Sequence, residues 1–167
     1  MGIVTYEGQI ESSLPPAKLF RMLVLESDTS ISKVQPEAVQ RFETLQGDGG
    51  PGTVRKITFG DGSPSPHVIT TVDLLDRENF TFHYSLIGGH PALIDTSIIE
   101  KMSFQLKFEA TPNGGTIATR SGKSYTINGV EVNEEEVRAG LEQNTQVFYE
   151  IFKAYEAYAL ANPDAYN

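Results

Sequence analysis

The chain contains no cysteine. Disulfides, thiolate metal sites and cysteine nucleophiles are therefore excluded, and the composition suits a reducing cytosol. Long apolar runs are missing too. No stretch of about 18 apolar residues exists, so nothing reads as a membrane span. The opening residues, MGIVTYEGQIESS, hold no basic region followed by an apolar stretch and do not read as a secretory signal. Gly2 raises N-myristoylation, but Tyr6 stands where that motif needs Ser or Thr.

Positive charge is scarce. The sequence has 13 Lys and Arg against 22 Asp and Glu, a net charge of -9. Binding to nucleic acid runs on counterion release at Lys and Arg contacts, which makes nucleic acid an unfavourable partner. Of the 3 histidines, His67, His83 and His90, no two have helical ligand spacing. No metal and no cofactor are expected. Serine is plentiful, but no G-x-S-x-G stretch presents a nucleophile.

What is present suits one domain over residues 1–167, with 39% hydrophobic residues to build a core. Residues 3–11 read as a first strand. Ser13 is a candidate cap ahead of Pro15-Pro16, and the helix AKLFRMLVLE follows. A second short helix over 28–35 stops before Pro36. From residue 38 the period becomes two. VQRFETLQ, TVRKITFG, HVITTVDLL, NFTFHYSLI, SIIEKMSFQLKFEA and GTIATRSGKSYTI are strand candidates. They are separated by the glycine loop, Asp61-Gly62-Ser63-Pro64, Asp76 to Asn79, Gly88 to Pro91, and Pro112 to Gly115. Such short links favour antiparallel neighbours. Residues 134–161 read as one long helix, with Glu134, Glu135 and Glu136 in its first turn and Pro163 beyond its end. The expectation is an α+β fold: a curved antiparallel sheet wrapped around a terminal helix.

The segment Gly47-Asp48-Gly49-Gly50-Pro51-Gly52 matches G-x-G-x-x-G. A dinucleotide fingerprint needs these glycines to open a helix, and a P-loop needs Gly-Lys-Ser/Thr. Here Thr53-Val54-Arg55-Lys56-Ile57-Thr58-Phe59 follows, and it alternates like a strand. The context reads as a strand–loop–strand hairpin whose glycine-rich loop, Gly47, Gly49, Gly50 and Gly52, holds several positive-φ positions. Its backbone N–H groups could hold an anion as a nest.

Gly47 to Thr53 resembles the glycine-rich loop of the plant pathogenesis-related class 10 proteins, the Bet v 1 family. Pro15 to Phe20, Lys33 to Pro36, Gly47 to Phe59, Asn79 to Ser85, Glu100-Lys101, Ala110 to Gly115 and the ending Tyr158 to Asn167 resemble it as well, in order along nearly the whole chain. The resemblance implies a Bet v 1-like helix-grip fold: seven antiparallel strands gripping a long C-terminal helix, with two short supporting helices. It further implies a cytoplasmic, monomeric protein that binds amphipathic small molecules (cytokinins, flavonoids or other phenolics) in a large hydrophobic cavity, for storage, transport or defence.

The strands give separate hints. Phe80, Phe82, Tyr84 and Leu86 share one face, and Thr81, His83 and Ser85 share the other. Strict alternation groups Glu100 with Ile98, Met102, Phe104, Leu106 and Phe108, and groups Arg55 with Ile57 and Phe59. A charge on an apolar face must be paired, hydrated or near an opening. Two roles fit: a structural Arg–Glu pair or rim position, or polar groups that orient a ligand. The resemblance favours the second, since Asp28, Arg55, Phe82, Tyr84 and Met102 match cavity-lining positions; the family usually has Lys where Arg55 stands. Leu23, Ile31, Phe59, Thr70, Leu86, Glu100, Phe104, Arg120, Val147, Phe148, Ile151 and Phe152 complete the expected ligand-binding set.

Enzymes belong to the family as well. Norcoclaurine synthase uses a lysine on a late strand inside the cavity, and by register Arg120 stands there. An always-protonated arginine is a poor proton shuttle, so this mechanism is disfavoured; a specialised-metabolism enzyme of that or an isomerase type stays the alternative. Weak ribonuclease activity is reported for some members, and the matching residues here are Glu100, Glu156 and Tyr158. The terminal helix looks about one turn longer than is typical, and the 88–97 loop carries about three extra residues.

Overall fold

The computed structural model describes residues 2–37, 39–60, 66–91 and 94–166. In chain order the elements are β1 (Ile3–Ser12), α1 (Pro16–Phe20), one π-helical turn (Arg21–Leu25), α2 (Ser27–Val34), β2 (Val39–Gln46), β3 (Val54–Phe59), β4 (His67–Asp76), β5 (Thr81–Gly89), β6 (Ile99–Ala110), β7 (Thr116–Thr126) and α3 (Glu134–Ala161). The expected sheet and helix order is observed. All seven strands form one antiparallel sheet in the order β1-β7-β6-β5-β4-β3-β2. The turn expected at Asp61 to Pro64 falls outside the described residues.

Three local expectations need correction. Ser13 caps nothing: Pro15 is the N-cap residue of α1, without a side-chain cap bond, and Ser12 Oγ accepts instead from the Leu14 N–H. The helix read as AKLFRMLVLE is not α-helical throughout, because its second half is the π turn. Glu100 does not share a face with Met102 and Phe104. The pairing of β6 with β7 slips between Ile99 and Lys101, so Glu100 is the extra residue of a bulge and is exposed, while Ile99 turns inward.

The sheet's two halves are covered unequally. α3 packs on β1 and β7, at one edge. Two glycines permit this. A β-carbon at Gly8 would overlap the Tyr149 phenol, and one at Gly122 would lie 2.9 Å from Phe104 Cε1 and 3.2 Å from Leu141 Cδ2. Away from that edge the inner face is only half covered, and every residue of β3 is half-buried. Asn133 caps α3, its side chain accepting from the Glu135 and Glu136 N–H groups. Beneath the helix the core divides into two clusters. One gathers Leu19, Phe20, Met22, Phe108, Phe152 and Tyr155 around α1 and the C-terminal half of α3. The other gathers Val4, Leu86, Met102, Phe104, Val137 and Leu141 around its first turns.

Two predictions follow from this packing. Gly122→Ala forces a methyl between Phe104 and Leu141 and lowers stability by about 1–3 kcal/mol, whereas Ser121→Ala on the outer face changes it by less than about 0.5 kcal/mol; urea denaturation of both variants checks the difference. The second concerns alkaline pH. Burial raises the ionisation of Tyr155 above its ordinary value of 10.0, with the Ser30 hydroxyl partly opposing, and burial likewise raises Tyr149 and Tyr166. The folded chain then keeps protons that the unfolded chain releases, so stability is full below about pH 10 and falls above it. Tyr155→Phe flattens that fall in melting temperatures measured across the range.

Candidate functional site

A cleft of about 620 Å³ lies between the glycine loop, α2 and the β4–β5 end of the sheet. Its wall includes Val24, Leu25, Asp28, Thr44, Arg55 and Phe82, with Gly47 to Pro51 along one rim. The expectation was a large apolar cavity; the void is an open cleft with a charged mouth. The π turn carries Val24 and Leu25 to its wall, and such turns recur at functional sites.

The glycine loop shapes this mouth, and three of its N–H groups are already bonded. Gly47, Gly49 and Gly52 have φ of 98°, 104° and 89°; Gly50 does not adopt positive φ. The loop's own groups take up its N–H donors. Gly49 N–H donates to Thr53 Oγ1 at 2.9 Å, Gly50 N–H to Asp48 Oδ1 at 3.1 Å, and Gly52 N–H to Val72 O at 2.8 Å. Asp48 holds a negative charge where an anion would have to sit. The Gly52 bond, together with Val72 N–H donating to Thr53 O at 2.9 Å, fastens the loop to β4.

Arg55 projects from β3 into the cleft. Its guanidinium lies 5.5 Å from the Phe42 ring centre, and its Nε is buried without a partner. Burial pulls its ionisation below the ordinary value, opposed by the nearby charge of Asp28. The Arg55–Glu100 pair does not form. Arg55 faces Thr70 on β4, Thr70 faces Leu86 on β5, and Leu86 faces Met102 on β6, so three strand spacings separate β3 from β6. At about 4.8 Å each this is about 14 Å.

From the cleft, aromatic rings lead inward. Phe82 stacks on Tyr84 with ring centres 5.3 Å apart, and Tyr84 lies 5.2 Å from Phe104. The Tyr84 hydroxyl accepts from Arg120 Nη2 at 2.9 Å. Arg120 sits mid-strand on β7, where alternate residues point inward, and is 2% exposed. Its Nη2 also donates to Asn144 Oδ1 at 2.6 Å, and its Nη1 to Thr145 Oγ1 at 3.1 Å. The guanidinium lies 4.1 Å from the Phe104 ring centre and 5.1 Å from that of Phe148. Thr145 passes its own hydrogen to Leu141 O at 2.9 Å. Arg120, Tyr84, Asn144 and Thr145 form a polar band between the two core clusters.

The remaining expected residues divide between wall, core and surface. Leu23, Phe59, Phe148 and Ile151 are half-buried against the clusters. Ile31, Thr70, Leu86, Met102, Phe104 and Phe152 are buried. Val147 is 46% exposed, because the helix turns it away from the stripe formed by Leu141, Thr145, Phe152 and Tyr155. The ribonuclease trio is dispersed. Glu156 contacts Lys153 Nζ at 3.3 Å and Tyr158 packs against the cluster at the end of α3. Glu100 follows Ile99, which packs with Val137 in the first turn, about 28 Å back along the helix. These residues cannot act on one bond. Sequence reasoning missed Asn144 and Thr145. Their signal was a polar pair on the inner stripe of an otherwise apolar helix face.

The comparisons with known proteins agree with this architecture. The chain is 43% identical to the major allergen Pru av 1 of Prunus avium and 45% identical to the major allergen Pru ar 1 of Prunus armeniaca, each over the full length of both chains. The crystal structure of Ara h 8.0201 superposes with a TM-score of 0.79 at 34% identity, covering 96% of this chain and 99% of that one. A ginseng major latex-like protein from Panax ginseng shares the fold at 13% identity, with a TM-score of 0.68 over 93% of this chain and 97% of that one. The model of the pathogenesis-related protein Bet v 1 family matches residues 1–162, and this chain, built as a seven-stranded sheet around a terminal helix, belongs to that family.

Proposed function

We propose that this protein binds amphipathic small molecules on the uncovered inner face of its sheet, taking them in through the cleft at the glycine loop. The observation that supports this reading is the row of contacting groups that runs from Phe82, in the cleft wall, through the Tyr84 ring to the polar band at Arg120. A mostly apolar site with a few converging polar groups is the ordinary form of a small-molecule pocket. Flat rings stack on Phe82 and Tyr84, while Arg55 and Asp28 meet polar groups at the mouth. Cytokinin-, flavonoid- or other phenolic-type compounds have this combination of ring and polar edge. The protein acts as a monomeric carrier or store, and the absence of cysteine suits a cytoplasmic setting. An acid–base enzyme is the weaker reading, since Arg120 holds its proton and Glu100 is exposed on a bulge away from the cleft.

Titration with N-phenyl-1-naphthylamine, followed by displacement with cytokinins and flavonoids, tests the reading. One site per chain is expected, displaced by one compound class. Tyr84→Ala weakens binding about tenfold through loss of ring contact, and Arg55→Ala weakens the more polar compounds preferentially. Absence of any probe binding, or probe binding indifferent to Tyr84→Ala, rules the inner face out as the site.

A further inference from the structure

We propose that the site takes an acid: the ligand carries a carboxylate that reaches Arg120. This rests on the small-molecule reading above and adds the chemical class of the ligand. The argument begins with charge. Arg120 is 2% exposed, and none of the ion pairs among the described residues includes it. Its hydrogen-bond partners are a phenol, an amide and a hydroxyl, all neutral. A guanidinium cannot shed its proton to escape this. Burying an unpaired charge is costly, and buried charges are normally paired. The two rings at 4.1 and 5.1 Å soften the cost without supplying a counter-charge.

Hydrogen-bond capacity points the same way. A guanidinium has five N–H donors; the three bonds to Tyr84, Asn144 and Thr145 leave Nε buried without a partner. The Tyr84 hydroxyl accepts from Arg120, and its own hydrogen has no acceptor among the described residues. The band is thus short of acceptors. A carboxylate supplies two acceptor oxygens and one negative charge. Of the three partners Tyr84 and Asn144 are half-buried and Thr145 is buried, so the less covered side of the guanidinium is that of Tyr84 and Asn144. An acid entering there displaces the neutral Asn144 amide from Nη2 and accepts from the Tyr84 hydroxyl. The mouth, by contrast, is balanced by Asp28 and Asp48 against Arg55 and Arg77. The deep end therefore selects for the acid in a protein whose net charge is -9.

A matched pair of probes tests this: 1-naphthaleneacetic acid and its methyl ester, at pH 7, by calorimetry or by displacement of N-phenyl-1-naphthylamine. Wild type is expected to prefer the acid by about ten- to a hundredfold, the range for a hydrogen bond to a charged group. Arg120→Met should abolish the preference while ester binding persists. Arg120→Lys should retain most of it, and Ser121→Ala, on the outer face of β7, should leave it unchanged. Equal binding of acid and ester by wild type overturns the inference and leaves the small-molecule reading standing. A preference that survives Arg120→Met overturns it too. If neither compound nor the neutral probe binds wild type, both readings fall. Should Arg120→Met not fold, the wild-type ratio and the Arg120→Lys variant decide.

Discussion

The terminal helix can approach the sheet only where β1 and β7 leave room for it. Gly8 accepts the Tyr149 phenol, and Gly122 leaves space that Phe104 and Leu141 fill. The helix is therefore held at one edge of a strongly curved sheet, and towards the opposite edge the inner face is only half covered. The half-buried inner residues of β3, the rings of β5 and the cleft beneath the glycine loop all follow from that offset. A helix centred over the sheet would have made one continuous core. This one makes two, with a polar band between them.

The band gives the interior its chemical character. Large apolar side chains on β6 (Met102, Phe104 and Phe108) face small ones on β7 (Ser124, Gly122 and Ala118), and Arg120, opposite Leu106, is the exception. A guanidinium between the rings of Phe104 and Phe148 keeps the two clusters from merging and holds positive charge where the fold is otherwise apolar. The glycine loop does something different. Three of its donors are spent on Thr53, Asp48 and Val72, so it acts as a fixed rim of the cleft.

Much of this was legible in the sequence because period-two strands, glycine turns and an amphipathic terminal helix are local signals. The order of elements along the chain and the limits of the terminal helix follow from them. What escaped prediction depends on irregularities that leave the pattern intact. One bulge moved Glu100 outside while its neighbours in the alternation stayed within. One π turn reset the phase of the first helix and carried Val24 and Leu25 to the cleft. The placement of Val147 failed because two helix positions adjacent in sequence face about 100° apart, so Phe148 turns inward and Val147 outward. Arg120 was legible as a position, but its partners Asn144 and Thr145 required knowing which turn of α3 crosses β7.

The central claim is that the uncovered half of the sheet, and not the helix-packed half, receives a ligand. Amide chemical-shift mapping with 1-naphthaleneacetic acid methyl ester tests it most directly. The account predicts perturbations concentrated at Arg55, Phe82, Tyr84 and Phe148, with Val4, Gly8 and Ala159 unmoved. Shifts confined to the outer face of β5 and β6, or spread along the helix-packed edge at β1, would contradict it.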